Sequence, residues 1–397
     1  MAVCTEFNHV LIFGQSRVSF TLKLTSVNAI RGLRFVKGLY LIAIDSVSTI
    51  YVISLNEKKV VRTLTAKLPI TAFETDYSLE FVYIGLTNGM VRAFDVETGN
   101  DCVLGFREQQ KKYFPFETDV HVSSIKLHPR DLGTLLISYT KITVAYNLAE
   151  NKVINSFVYV LPETAQGGEN AKYEYNTKGE YVPYVTQSLW HPNGLHLLTV
   201  HDDNSIVFWD FKSGTQLVAR TLFDSYVDSP TGQRMKPETK RMTPITKVSW
   251  ICEKNPEYTS LLILGGDAYE SEGFHQLVRI DFGKMVSYSM TSYDNMGKYY
   301  AQPKNQNIFA IHSSSSIIDF DPLGEESPYF DGNHDPKLIA IILRDGSLKF
   351  LNYPQGNLSF KASYFPATLS WLNPKITCSS SSYIDKRVLN GINLELK

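Results

Sequence analysis

Apolar and polar positions along the chain fall into short runs broken by turns, and Val185–Phe223 shows the unit most clearly. It reads VTQSLWHPNGLHLLTVHDDNSIVFWDFKSGTQLVARTLF, four apolar stretches separated by His191-Pro192-Asn193-Gly194, Asp202-Asp203-Asn204 and Lys212-Ser213-Gly214. Leu195–Val200 and Ile206–Trp209 are rich in Leu, Val, Ile and aromatics, which suits buried strands. Asp and Asn tolerate positive φ and bond their own backbone, so Asp202–Asn204 predicts a tight turn between them. Four antiparallel strands of this length predict one blade of a β-propeller.

The pattern recurs. Asn88–Asp95, ending in a turn at Gly99, aligns without gaps with Asp203–Asp210, ending at Gly214. Asp345–Asn352, ending at Gly356, aligns in the same way, so Asn88-Gly89, Asp203 and Asp345-Gly346 share one place in the repeat, and Asp95 and Asp210 another. Weaker copies lie at Val47–Ser54 and Tyr139–Asn147, and Leu127-His128-Pro129 matches Trp190-His191-Pro192 as a second anchor. Phe208-Trp209-Asp210 resembles the strand ending that names the WD repeat. In such blades a tight-turn Asp, a strand hydroxyl, a strand Trp and a distant His form a buried hydrogen-bonded set. Asp203, Thr199 and Trp209 match three members by spacing, and no His stands at the start of the repeat.

These copies predict an all-β, WD-repeat-like propeller of about seven blades in a single domain, 1–372. The blades fall near 27–66, 68–106, 120–160, 185–223, 244–293 and 312–372, with 1–26 a partial first blade. The repeats exceed the ~40–45 residues of a minimal WD unit. The excess falls in polar insertions at 107–119, 161–184, 224–243 and 294–311, which are expected to be surface loops. Met1 begins within what should be the second strand of the first blade, so that blade is expected to lack its innermost strand and leave a defective seam. Residues 373–397 are expected to be a poorly ordered extension.

With 397 residues, 43% hydrophobic and 12% aromatic, the chain can bury a large core. Lys and Arg number 39 against 40 acidic residues, so no global field favours nucleic acid or an anionic membrane. Cys4, Cys102, Cys252 and Cys378 show no paired spacing, which points to a reduced, cytoplasmic protein. The longest apolar runs, such as Leu39–Ile44, fall far below the roughly 20 residues of a membrane helix, and the N-terminus lacks a signal-peptide pattern.

Candidate chemistry is sparse. The sequence holds no GxxxxGK[ST], GxSxG, HExxH or CxxC, and no cofactor is expected. His191, His196 and His201 suggest a metal cluster, but at strand spacing they spread over roughly 33 Å and alternate faces, with the hairpin expected only after His201. Glu253, Glu257, Glu270 and Glu272 read as a solvated rim. The loop Arg234–Arg241 carries four positive residues, Arg234, Lys236, Lys240 and Arg241, against one acid, which suits either a solvated loop or contact with an acidic partner.

The runs LRFVKGLYLIAID (33–45), HPRDLGTLLISY (128–139), HPNGLHLLTVHDDNSIVFWD (191–210), VSWICEKNPEYTSLL (248–262) and SPYFDGNHDPKLI (327–339) resemble the yeast-type members of the lethal giant larvae and tomosyn family. The resemblance reaches from Met1 to about Leu372 and implies the first of two stacked seven-bladed propellers. It implies a non-catalytic scaffold in polarised exocytosis that binds SNAP-type target SNAREs, a secretory Rab GTPase and the exocyst. The expected location is cytoplasmic, with recruitment to the plasma membrane through partners, and no small-molecule substrate or nucleic acid is expected. A truncated, largely inactive fragment and a generic propeller adaptor are the alternatives. An enzyme built on a propeller would need converging polar groups at the central channel.

Overall fold

Short β-rich runs joined by Asx and glycine turns pair with their nearest neighbours in sequence, and the sheets follow one another along the chain. The computed structural model describes residues 1–14, 17–76, 78–102, 106–169, 174–231, 242–267, 276–285, 291–311, 313–324, 333–358 and 375–384. Complete four-stranded antiparallel blades are built from Ile30–Val36, Tyr40–Asp45, Thr49–Ser54 and Lys59–Thr65, from Ser124–His128, Asp131–Ser138, Thr143–Asn147 and Lys152–Phe157, and from Val185–Trp190, His196–His201, Ile206–Asp210 and Gln216–Arg220. A further blade holds Ile70–Thr75, Phe81–Leu86 and Val91–Asp95, extended at its outer edge by the bridges Val91–Phe106 and Phe94–Asp101. The last holds Ile317–Gly324, Pro336–Leu343 and Leu348–Asn352. With the two blades described next, the ring has seven.

The first blade corrects the expectation of a missing strand. Ala2–Thr5, His9–Gly14 and Arg17–Lys23 are joined on the inner edge by Ile376–Ser380, which pairs antiparallel with Ala2–Thr5. Part of the stretch expected to be a loose extension is therefore the innermost strand of the first blade, and the seam is closed. Ile376 N donates to the carbonyl of Gly346 and Glu6 N to that of Lys375, which ties the closing strand to the last blade as well as the first. Gly346 has φ +82°, and a Cβ there would stand 2.3 Å from Lys375 Cα, so only glycine admits the strand at this point.

The sixth blade corrects a second boundary. Its strands are Lys247–Cys252, Tyr258–Leu264, Gln276–Lys284 and, as outer strand, Asn305–Ala310. The stretch 294–311, expected to be a surface loop, instead holds that strand and most of the helix Tyr293–Ala301. Ser292 caps the helix by accepting from Asn295 N. Its Met296 and Tyr300 are buried, and the Tyr300 ring stacks on Phe208 at 4.2 Å. The two residues Asn333–His334 add in parallel to the free edge of Lys247–Cys252, making that sheet five-stranded.

Side-chain alternation explains how the ring holds together. Along the fifth blade Leu197, Val207 and Trp209 enter a core shared with the fourth, while Leu198 and Phe208 enter one shared with the sixth. Val3 faces the last blade and Cys4 the second. Among the described residues seven buried clusters result, one between each pair of neighbouring blades, including the pair that closes the ring.

Candidate functional site

The repeated turn residues occupy matching places. Asn88, Asp203 and Asp345 each accept through Oδ1 from the backbone N–H two residues on, at 3.1, 3.0 and 2.9 Å. The next residue takes the left-handed conformation at Gly89, Asn204 and Gly346. All three turns join second to third strands and lie on one face of the ring. On the opposite face, Asp95 and Asp210 cap the turns that end at Gly99 and Gly214.

In the fifth blade Trp209 Nε1 donates to Thr199 Oγ1 at 3.0 Å, and Thr199 Oγ1 lies 2.9 Å from His201 Nε2. His201 Nδ1 is 3.2 Å from the Pro183 carbonyl, which can only accept, so Nδ1 carries the proton. The hydroxyl of Thr199 therefore donates to Nε2, completing a directed relay. Burial pushes His201 down to about 4, which keeps the ring neutral. The histidine expected to be lacking is thus supplied from within the repeat, two residues beyond the threonine. Asp203 serves a different contact: its Oδ2 accepts from Ser205 Oγ at 2.9 Å and Gly168 N at 3.3 Å, so it holds the insertion after the fourth blade. Asn204 reaches the sixth blade, accepting from Ile245 N and donating to the Thr243 carbonyl, both at 2.8 Å.

The expected hairpin position near the three histidines also needs correction. The His191–Gly194 turn folds the chain back before His196, and the two rings stand 6.2 Å apart. His196 Nδ1 lies 2.7 Å from the Tyr300 hydroxyl, His191 packs on Trp250, and burial holds both imidazoles neutral. His201 sits at the far end of the strand. Among the described residues no group of three His, Cys, Asp or Glu side chains is placed to hold a metal ion.

A surface that the turn pattern did not single out lies on the face of the second-to-third turns. Val27 is 97% exposed, Phe116 96%, Phe7 60% and Val47 57%, with Leu68 and Phe223 also open. The loops that carry four of them are cross-tied. Asn8 Nδ2 donates to the carbonyls of Ser26 and Asn28, Ser26 Oγ donates to Asp45 Oδ2 at 3.0 Å, and Ser48 Oγ accepts from Ile70 N at 2.8 Å. Phe7, Val27, Val47 and Leu68 therefore form an apolar arc on fixed backbone over the first three blades. The expected partner residues Arg234, Lys236, Lys240 and Arg241 lie outside the described residues, as do Glu270 and Glu272. Glu253 and Glu257 are exposed or nearly so, with Glu257 3.8 Å from Lys284. No helix among the described residues is long and apolar enough to cross a membrane.

No protein-family model matches the chain. It is 41% identical over 394 residues to the Lethal(2) giant larvae protein homolog SRO77 of Saccharomyces cerevisiae, which takes in 99% of this chain and 39% of that protein. An uncharacterized protein of Schizosaccharomyces pombe is 24% identical over 419 residues, 99% of this chain and 40% of that one. The chain thus spans about two fifths of the length of these relatives. The β-propeller domain of Cps50 (Swd1) from Myceliophteria thermophila superimposes with a TM-score of 0.56 at 14% identity, over 85% of this chain and 86% of that one, which shows the propeller fold. Over nearly its whole length this chain is thus similar to part of a Lethal(2) giant larvae protein homolog, and the stretch that matches folds here as one propeller.

Proposed function

We propose that the chain is a non-catalytic protein-binding propeller of the exocytosis-regulator type, and that its docking surface is the face carrying the apolar arc. The observation that carries this reading is the arc itself: Phe7, Val27, Val47 and Leu68 stand open on loops fixed by Asn8, Ser26 and Ser48. Exposed apolar groups on a preorganised backbone lose little entropy on docking, which is what a protein-binding surface needs. The kinship to a lethal giant larvae homolog directs the choice of partners to a SNAP-type target SNARE, a GTP-loaded secretory Rab and the exocyst. In this reading the chain is cytoplasmic and reaches the plasma membrane only through those partners. The buried imidazoles and carboxylates described above are engaged in turns and blade contacts, so they support a scaffold rather than a reaction centre.

The test is capture of each purified partner on the immobilised chain, with the Saccharomyces relative alongside. Retention of at least one partner by this chain supports the proposal. Retention by the longer relative alone assigns binding to parts of the family that this chain does not span, and contradicts it.

A further inference from the structure

The closing strand brings together two cysteines that are 374 positions apart in sequence. Cys4 and Cys378 are direct partners in the ladder between Ala2–Thr5 and Ile376–Ser380, and both are free thiols. Both side chains enter the core between the first and second blades, so they lie on the same side of the sheet. Directly opposite residues of an antiparallel pair have Cα atoms about 4.5 or 5.5 Å apart, inside the range of about 4.4–6.8 Å that a disulfide spans. The register thus sets two thiols at bridging distance across the one joint where the ends of the ring meet.

We propose that Cys4 and Cys378 form a redox-controlled staple of the ring, an inter-strand disulfide made by exchange with a small disulfide such as oxidised glutathione. Cys4 attacks as the thiolate on one sulfur of the oxidant, forming a mixed disulfide and releasing one glutathione thiolate. Cys378 then gives up its proton and attacks the Cys4 sulfur, closing the bridge and releasing the second. The protein loses two protons and two electrons, and the oxidant becomes two thiols. The roles follow from the contact between the thiols: hydrogen bonding with Cys378 lowers Cys4, while the same contact raises Cys378 well above the usual thiol range. Cys4 is 0% exposed and Cys378 6%, so the oxidant reaches them only when the closing strand lifts. Oxidation therefore traps the ring shut after an opening event. Cys252 is also buried, but its thiol is pushed up to about 12, and Cys102 is half-buried in the third blade.

The experiment uses the full chain carrying Cys102→Ser and Cys252→Ser, treated with oxidised glutathione and digested without reductant. The expected product is a peptide pair joining residues 4 and 378, with two hydrogens lost and no glutathione retained. Its urea midpoint should rise above that of the same chain in dithiothreitol, and reductant should reverse the shift. Cys378→Ser in this background should retain glutathione on Cys4 and show no such rise. In the chain that keeps both Cys4 and Cys378, glutathione held on either of them, a link between two chains, or an oxidised form that unfolds at the reduced midpoint overturns the proposal.

Discussion

His128 donates through Nε2 to the carbonyl of Gly194 at 3.0 Å, tying a turn of the fourth blade to the matching turn of the fifth. The same imidazole accepts through Nδ1 from Arg130 N, so it shapes its own turn while gripping the next. Gly194 has φ +75°, and a Cβ there would lie 2.5 Å from the His128 ring. Gly194→Ala should therefore cost at least the ~1–2 kcal/mol of a left-handed non-glycine residue. Urea titration measures it, and an unchanged midpoint would show that the turns do not touch in solution.

The relay of Trp209, Thr199 and His201 gives a graded series. Trp209→Ala should destabilise by about 3–5 kcal/mol, since a buried aromatic is replaced by a cavity. Thr199→Val keeps the shape but leaves the Trp209 N–H and His201 Nε2 without partners, at about 1–3 kcal/mol. Denaturant midpoints should rank the two in that order; a larger loss for Thr199→Val would contradict the relay as drawn.

Acid should weaken the fold through its buried histidines. His196 and His201 are lowered by burial from 6.5 to about 4, and His191 falls well below its ordinary value. The unfolded chain then binds more protons than the folded one between these limits, so stability is whole above about pH 6.5 and drains as pH falls toward 4. Asp202 works the other way, raised to about 6 by partial burial and the neighbouring Asp203, and offsets part of the loss. At about 1.4 kcal/mol per group and pH unit, the net loss from pH 7 to pH 5 should be about 4–5 kcal/mol. Urea midpoints at the two pH values decide it, and equal stability would mean that these imidazoles protonate in place.

Closure by Ile376–Ser380 predicts that a chain ending at residue 374 is crippled. It would lose the buried Ile376 and a whole ladder of hydrogen bonds, more than about 4 kcal/mol together, and expose the edge of Ala2–Thr5 to pairing between molecules. Light scattering on heating should show earlier aggregation than in the full chain. Matching melting and scattering curves would mean that the strand is dispensable.

The contrast between what the sequence showed and what it hid follows from the range of each interaction. Asn88, Asp203 and Asp345 are legible because a turn is decided by its own few residues, and the apolar runs beside them mark the strands. The closing strand is not legible: ITCSS is only five residues long, and what fixes its place in the ring is Ala2–Thr5 at the other end of the chain. The helix Tyr293–Ala301 is masked by Asn295 and Gly297, weak helix formers. Gly297 is required because a Cβ there would stand 2.5 Å from the Leu217 carbonyl. His201 was visible as a residue but not as the partner of Thr199, a role fixed by strand pitch and by Pro183 beyond it. The apolar arc is not legible because Phe7, Val27, Val47 and Leu68 are isolated in sequence, and only the ring brings their loops onto one face.

The claim that this arc is the docking face is tested most directly by titrating the captured partner against paired surface variants. Val27→Asp with Val47→Asp places two charges on the arc, while Leu195→Asp places one on the opposite face, where Leu195 is 40% exposed. Circular dichroism and urea midpoints should be near those of the parent for both, as surface changes usually lie within about 0.5 kcal/mol. The account predicts that the arc variant binds at least tenfold more weakly, about 1.4 kcal/mol, while Leu195→Asp binds as the parent does. Equal affinity for all three, or a loss confined to Leu195→Asp, would contradict it.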